Sequence, residues 1–284
     1  MRVIFVGVGA IGLPMAAQIK LAGHAVVGVD VAEASRLRAL EQDIEVVSRF
    51  TDAPAADVVV VMVATPQQLA ELVTQAQGSV TGQRWIIMST VGPDAVREQG
   101  ERLRQAGASV VDAPVTGGTA RAKTGELVIF AAGVAEELEA VQPVLRAMGS
   151  VRQVGCRLGE GQGIKVINQH LCSIHIVAAA EALSLAKSLG LEAAAVLSLV
   201  EKGAAGSWML SDRGPRMLEG IDVEVSSSIN IFVKDSGLVA ESARACAAEV
   251  PLLEVAYQRY LAAAEAGLGL RDDSRVIETW SAKS

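Results

Sequence analysis

The sequence predicts an α/β N-terminal domain built on a parallel sheet, followed by an all-α C-terminal domain. Two observations lead there. Short apolar runs alternate with helical patterns as far as residue 148. A glycine-rich break, GEGQG at 159–163, ends that alternation, and only helical patterns follow. The expected domains are therefore 1–160 and 161–284.

The first strand is RVIFV at 2–6, and a helical pattern, LPMAAQIKLAG, follows a cluster of glycines. Further strands are expected at 25–30, 58–64, 84–90, 108–114 and 127–133, with helices at 33–42, 66–76, 93–106 and 135–148. Strands that are apolar throughout, separated by amphipathic helices, call for a parallel sheet covered on both faces. Beyond the break, residues 164–189 contain no strong helix breaker and end before Gly190. More helices are expected at 192–202, 207–219, 230–248 and 251–266. A long helix beginning at a domain boundary is placed to line an interdomain cleft.

Charge and composition narrow the function. A net charge of −7 repels phosphate backbones, so nucleic-acid and anionic-membrane partners are not expected. Cys156, Cys172 and Cys246 lie far apart and form no metal-ligand spacing, which points to a reducing compartment with neither disulfide framework nor metal. The apolar run in MRVIFVGVGAIG is short for a signal peptide, and the apolar stretch 174–200 is interrupted by His175, Glu181, Lys187 and Glu192. A cytoplasmic protein is expected.

The glycine cluster GVGAIG (7–12) offers Gly7, Gly9, Ala10, Ile11 and Gly12 as cofactor-binding candidates. It follows a strand and opens a helix, and the next strand closes on Asp30. In such a Rossmann-type unit the first glycine permits the turn, the second admits a pyrophosphate, and the third lets helix and strand pack closely. The helix N-terminus offers N–H groups to the phosphates. Asp30 suits the ribose hydroxyls of NAD and would repel the phosphate of NADP. Arg36 and Arg38 stand close enough to serve that phosphate, so NADP stays possible.

Lys165, Asn168 and Gln169 share a helix face and together suit a small oxygen-rich anion. Read alone, Lys165 could equally extend from a helix start into solvent.

Four ordered stretches resemble the β-hydroxyacid dehydrogenase family along nearly the whole chain: GVGAIGLPMAAQI (7–19), DAPVTGGTARAKTGEL (112–127), GQGIKVINQ (161–169) and IFVKDSGLVAE (231–241). The resemblance implies that Lys165 is the catalytic lysine and that Thr116, Gly117 and Gly118 hold the substrate carboxylate. It puts Thr90 and Lys234 beside the nicotinamide half of NAD, and Val63, Ala64 and Thr65 beside the adenosine ribose. Asn168 and Gln169 fall in the substrate pocket. The chemistry fits: successive glycine N–H groups make an anion nest, and dehydrogenation needs a base for the hydroxyl proton. The family forms dimers and tetramers, so a homodimer or homotetramer is expected.

One departure stands out. The family commonly has asparagine where this chain has Gln169. The stretches at 165–186, 207–218, 229–241 and 270–280 are instead similar to the L-threonate dehydrogenase branch, which implies oxidation of a sugar acid to its 2-oxo acid. The alternatives are 3-hydroxyisobutyrate dehydrogenase and tartronate semialdehyde reductase. A phosphogluconate dehydrogenase would need a cationic phosphate cluster and a longer helical domain, and imine reductases usually replace the lysine. A non-catalytic NAD-binding sensor would keep the glycines and could lose Lys165. His170, Ser207, Asp235 and Asp273 are further hydrogen-bonding candidates with no assigned place.

Overall fold

The computed structural model describes residues 1–280 and divides into two compact units, the first Met1–Lys165 and the second beginning at Val166. In the first unit, nine strands form one sheet. Its parallel part contains β1 (Arg2–Val6), β2 (Ala25–Val29), β3 (Glu45–Val47), β4 (Val58–Val61), β5 (Arg84–Ile87) and β6 (Ser109–Asp112), in the order β3-β2-β1-β4-β5-β6. The order reverses between β1 and β4, and ligands of open α/β sheets bind outside the strand carboxyl ends at such a point.

Strand alternation explains why both faces are covered. Val3, Phe5, Val58, Val60 and Ile86 enter one apolar cluster; Ile4, Val6, Val59, Val61 and Ile87 enter the other. Helix α1 (Gly12–Leu21) and α6 (Ala135–Met148) cover the first face, with Met15, Ile19, Val144 and Met148 fully buried. The second face is covered by α3 (Pro66–Ala76) and α4 (Pro93–Gln105), through Leu69, Val73, Val96 and Leu103. Burying each such aliphatic side chain contributes about 1.5–3 kcal/mol. Helix α2 (Glu33–Leu40) follows β2 and buries Ala39.

The sheet is not parallel throughout. After β6 come β7 (Val115–Thr116), α5 (Gly118–Thr124) and β8 (Leu127–Ala132), and β8 runs antiparallel to both β6 and β7. The chain between β6 and β8 is taken up by β7 and the seven-residue α5, too little for a full crossover. Helix α6 supplies that crossover next, and β9 (Gly149–Gly155) pairs parallel with β8. Strands β3 and β9, and helix α5, were not expected from the sequence pattern.

Helix α7 (Glu160–Ser188) also begins earlier than the expected residue 164. It runs straight through the glycine-rich break because tertiary contacts override propensity there. A Cβ on Gly161 would lie 2.5 Å from the Phe130 carbonyl oxygen, so only glycine lets the first turn of α7 seat on the sheet. The division between the two units falls inside this helix.

The second unit continues α7 and adds α8 (Ala193–Val200), α9 (Trp208–Leu218), α10 (Ile229–Ala245), α11 (Pro251–Ala263) and a 3-10 helix at Asp273–Trp280. Ile176, Ala180, Leu183, Phe232, Tyr260 and Val276 form its core. Phe232 and Tyr260 stack with ring centroids 5.2 Å apart. The described residues of this unit form no strand; Ser228 and Asp272 make an isolated bridge.

Candidate active site

Strand register alone brings four of the expected loops to one edge of the sheet. Val6 pairs with Val29 and with Val61, and Val61 pairs with Ile87. The glycine loop, Asp30, the loop at 62–65 and the loop at 88–92 therefore all leave the carboxyl ends of neighbouring strands.

The three motif glycines have different physical reasons. Gly7 has φ +92°, and a Cβ there would lie 2.3 Å from the Met62 carbonyl oxygen. On Gly12 a Cβ would meet the Gly7 carbonyl oxygen at 1.8 Å. Neither position tolerates a side chain. A Cβ on Gly9, in contrast, would meet nothing within 4 Å. The folded chain gives Gly9 no need to be glycine, so the open space there fits a group that approaches the backbone from outside. No side chain caps α1, whose N-terminus adjoins Ala10 and Ile11. These residues fit a dinucleotide pyrophosphate.

Asp30 follows β2 directly. Its Oδ1 accepts the Ala32 N–H at 2.8 Å, which orients the carboxylate. Arg36 turns back and donates to the Asp30 and Val31 carbonyl oxygens, at 3.0 and 2.8 Å. Arg38 donates to Ser35 Oγ. After β4, Val63 and Ala64 lead to Thr65, which caps α3. Thr65 Oγ1 accepts the Gln68 N–H, and Gln68 Oε1 accepts the Ala64 and Thr65 N–H groups. This reciprocal capping fixes the loop.

Thr116 ends β7, and the two glycines after it adopt positive φ, +130° at Gly117 and +66° at Gly118. Space around Gly118 is open, whereas the Arg121 stem lies over Gly117. Consecutive positive-φ glycines expose backbone N–H groups to an anion.

Lys165 lies on α7 and is 7% exposed, so it is not a solvent-extended lysine. Three residues before it stands Gln162, fully buried and missed by the sequence reading. Gln162 Nε2 donates to the Ser89 carbonyl oxygen (2.9 Å) and to Asp112 Oδ1 (3.1 Å). Its Oε1 accepts the Val91 and Gly92 N–H groups, both at 3.1 Å. Asp112 Oδ2 accepts from Gly159 and Gln162 N–H at 3.0 Å. Burial lifts the Asp112 carboxyl to about 6, against the opposing pull of these N–H donors. Both residues stand inside stretches that carry the family resemblance, Asp112 at the start of 112–127 and Gln162 in 161–169, but the sequence assigned neither a role.

The remaining candidates lie in the second unit. Asn168 donates to Gln169 Oε1 at 2.8 Å, and Gln169 donates to Asp235 Oδ2. Lys234 Nζ lies 2.9 Å from Asp235 Oδ1. Ser207 caps α9 through the Leu210 N–H. Asp273 is fully buried and paired with Arg213 at 2.7 Å, beside Asp272 and Arg216 at 2.9 Å. Ser207 and Asp273 are therefore occupied by structural contacts. His170 is half-buried, one turn beyond Val166 on α7.

Comparison with known proteins adds an independent line. Residues 2–159 match the family described as the NAD-binding domain of 6-phosphogluconate dehydrogenase. Residues 159–280 match NAD-binding of NADP-dependent 3-hydroxyisobutyrate dehydrogenase. L-Threonate dehydrogenase of Cupriavidus necator is 36% identical over 290 positions, covering 96% of this chain and 94% of that one. The crystal structure of 3-hydroxyisobutyrate dehydrogenase from Salmonella typhimurium is similar at TM-score 0.90 and 31% identity, covering 98% of this chain and 99% of that one. The Mycobacterium tuberculosis 3-hydroxyisobutyrate dehydrogenase with L-serine is similar at TM-score 0.87 and 29% identity, over 99% of each chain.

Proposed function

Because the chain belongs to the β-hydroxyacid dehydrogenase family, we propose that it oxidises a small sugar acid such as L-threonate at C2, with NAD, to the 2-oxo acid. The observation that carries this reading is the burial of Lys165 on a helix whose first turn is bonded to the carboxyl edge of the sheet.

NAD, when bound, supplies the hydride acceptor. The chain's own residues do the rest. Thr116 and the N–H groups at Gly117 and Gly118 hold the substrate carboxylate. The Lys165 amine takes the C2 hydroxyl proton as the carbonyl forms, and in reverse its ammonium returns that proton. Asn168, on the same helix, serves the polyol hydroxyls, and Gln169, held by Asp235, receives one Asn168 N–H and so orients that amide. Thr90 and Lys234 serve the nicotinamide half, Gly7 to Gly12 the pyrophosphate, and Val63 to Thr65 the adenosine ribose.

Asp30 favours NAD over NADP, and Arg36 supports that preference because its guanidinium is engaged by backbone carbonyls. In this reading the first unit binds NAD and the second contributes to substrate binding and oligomerisation. Exposed Leu185, Leu189, Leu191 and Leu199 in the second unit support a homodimer or homotetramer, and the likeness to L-threonate dehydrogenases supports a cytoplasmic location. The long apolar helix α7 buries Ile176, Ala180 and Leu183, which suits a core helix.

A second reading, oxidation of 3-hydroxyisobutyrate or reduction of tartronate semialdehyde, is favoured by the likeness to the Salmonella structure. Turnover is to be measured with L-threonate, D-erythronate, D-glycerate and 3-hydroxyisobutyrate, each with NAD and NADP, and with tartronate semialdehyde and the reduced cofactors NADH and NADPH. The highest kcat/KM is expected for L-threonate with NAD. NAD binding without turnover of any of these compounds would overturn the dehydrogenase reading in favour of a sensor.

A further inference from the structure

Gln162 uses its whole hydrogen-bonding capacity within the first unit. Its amide donates twice, to Ser89 and Asp112, and accepts twice, from Val91 and Gly92. Turning the amide over would set donor against donor at Val91 and Gly92, so one orientation is enforced. The two residues of the 88–92 loop that flank Thr90, Ser89 and Val91, are thus tied to one side chain on α7. Three residues after Gln162, on the same helix face and about 4.5 Å along the axis, comes Lys165.

Asp112 completes the frame from below. It receives Gly159 and Gln162 N–H groups at the start of α7 and the Gln162 side chain. Both residues are 0% exposed. A buried network of this kind is worth its desolvation only when every member is satisfied, and then it holds one geometry.

We propose that Gln162, backed by Asp112, is a positioning residue that fixes the spacing between the Thr90 loop and Lys165. It rests on the dehydrogenase reading, since that spacing sets where hydride acceptor and proton acceptor stand relative to one carbon. Displacement of such groups by about 1 Å costs on the order of 10²-fold in rate.

The test is a charge-conserving swap read together with amide exchange. Gln162→Glu alone faces two carboxylates across a buried bond. Asp112→Asn alone faces two amides. In the double variant the introduced carboxylate still accepts from Val91 and Gly92, and the introduced amide donates to it; the bond to the Ser89 carbonyl is lost, and a carboxylate oxygen faces that carbonyl in its place. Each single variant is expected to lower kcat on the order of 10²-fold with a much smaller change in hydroxy-acid KM. The double variant should recover at least roughly tenfold of that loss, as coupled neighbours do. Hydrogen exchange at Val91 and Gly92 should be slow in the unaltered protein and fast in Gln162→Leu.

Single variants with unaltered kcat, a double variant no better than the worse single, or fast exchange at Val91 and Gly92 in the unaltered protein would each overturn the proposal. Exchange reads the frame without turnover. Inactivity towards every acid would therefore count against the dehydrogenase reading and leave the frame's own test standing.

Discussion

Asp235 is shared by two partners: Gln169 donates its amide N–H to Oδ2, and Lys234 Nζ lies 2.9 Å from Oδ1. The carboxylate is 4% exposed, so it relies on those partners in place of water. This gives the family departure at Gln169 a physical reason. The extra methylene lets an amide on α7 reach α10.

Gln169→Glu should therefore destabilise the protein strongly at pH 8, where two carboxylates would face each other, and much less near pH 5, where one can hold a proton and donate it. Gln169→Asn should cost about 1–3 kcal/mol at either pH, the penalty for leaving a buried acceptor short of its donor. Thermal melts at both values measure this. A Gln169→Glu protein that melts with the unaltered one at pH 8 would contradict the shared role of Asp235.

Lys165 is predicted to act through a removable proton as well as a charge. Lys165→Ala and Lys165→Arg should both lose about 10²–10⁴-fold in turnover, the usual contribution of a positioned acid–base group. Arginine keeps the cation yet cannot serve as a base at any working pH. Calorimetric titration with NAD should give unaltered affinity for both. Near-normal turnover in Lys165→Arg would reduce Lys165 to an electrostatic role.

The glycine loop offers a separation of folding from binding. Gly9→Ala meets no neighbouring atom and should leave the melting temperature unaltered, while the NAD Kd rises by at least roughly tenfold, or about 1.4 kcal/mol. Gly12→Ala drives a methyl into the Gly7 carbonyl and should cost about 1–3 kcal/mol of stability before any ligand is added. Equal NAD affinity in Gly9→Ala and the unaltered protein would remove the pyrophosphate from that position.

Legibility in the sequence followed burial. Strand β4 is apolar throughout, and β1, β5 and β6 carry apolar runs after a polar first residue, because both faces of the sheet are covered; helices α3 and α6 begin and end as the periodicity implies. Edge strand β9, GSVRQVG, is half-exposed and carries no apolar signal. The start of α7 was obscured because Gly161 and Gly163 read as breakers, whereas a carbonyl from β8 demands the first of them. Gly7 and Asp30 stood out through the spacing of the glycine loop and the strand after it, whereas Lys165 stood out only through the family resemblance. Gln162 and Asp112 did not stand out: their function lies in contacts across 50 residues of sequence, which no local pattern encodes.

Asp112 also makes the stability of the first unit depend on pH, with a definite sign. Burial raises its carboxyl to about 6 in the folded chain, while an unfolded aspartate titrates near about 3.9. Between those values the folded state binds more protons than the unfolded one. The contribution is therefore fully present below the lower value and is lost as pH rises through the upper one. Its size is at most about 3 kcal/mol. Asp273, also lifted to about 6 by burial, adds a slope of the same sign, but it is common to both proteins when the unaltered chain is compared with Asp112→Asn. The difference in unfolding free energy, unaltered minus variant, should accordingly shrink between pH 4 and pH 7 by up to about 3 kcal/mol. Denaturant titrations at unit pH steps measure it. A difference that stays flat, or widens, would mean that the N–H donors from Gly159 and Gln162 outweigh burial and hold Asp112 ionised throughout.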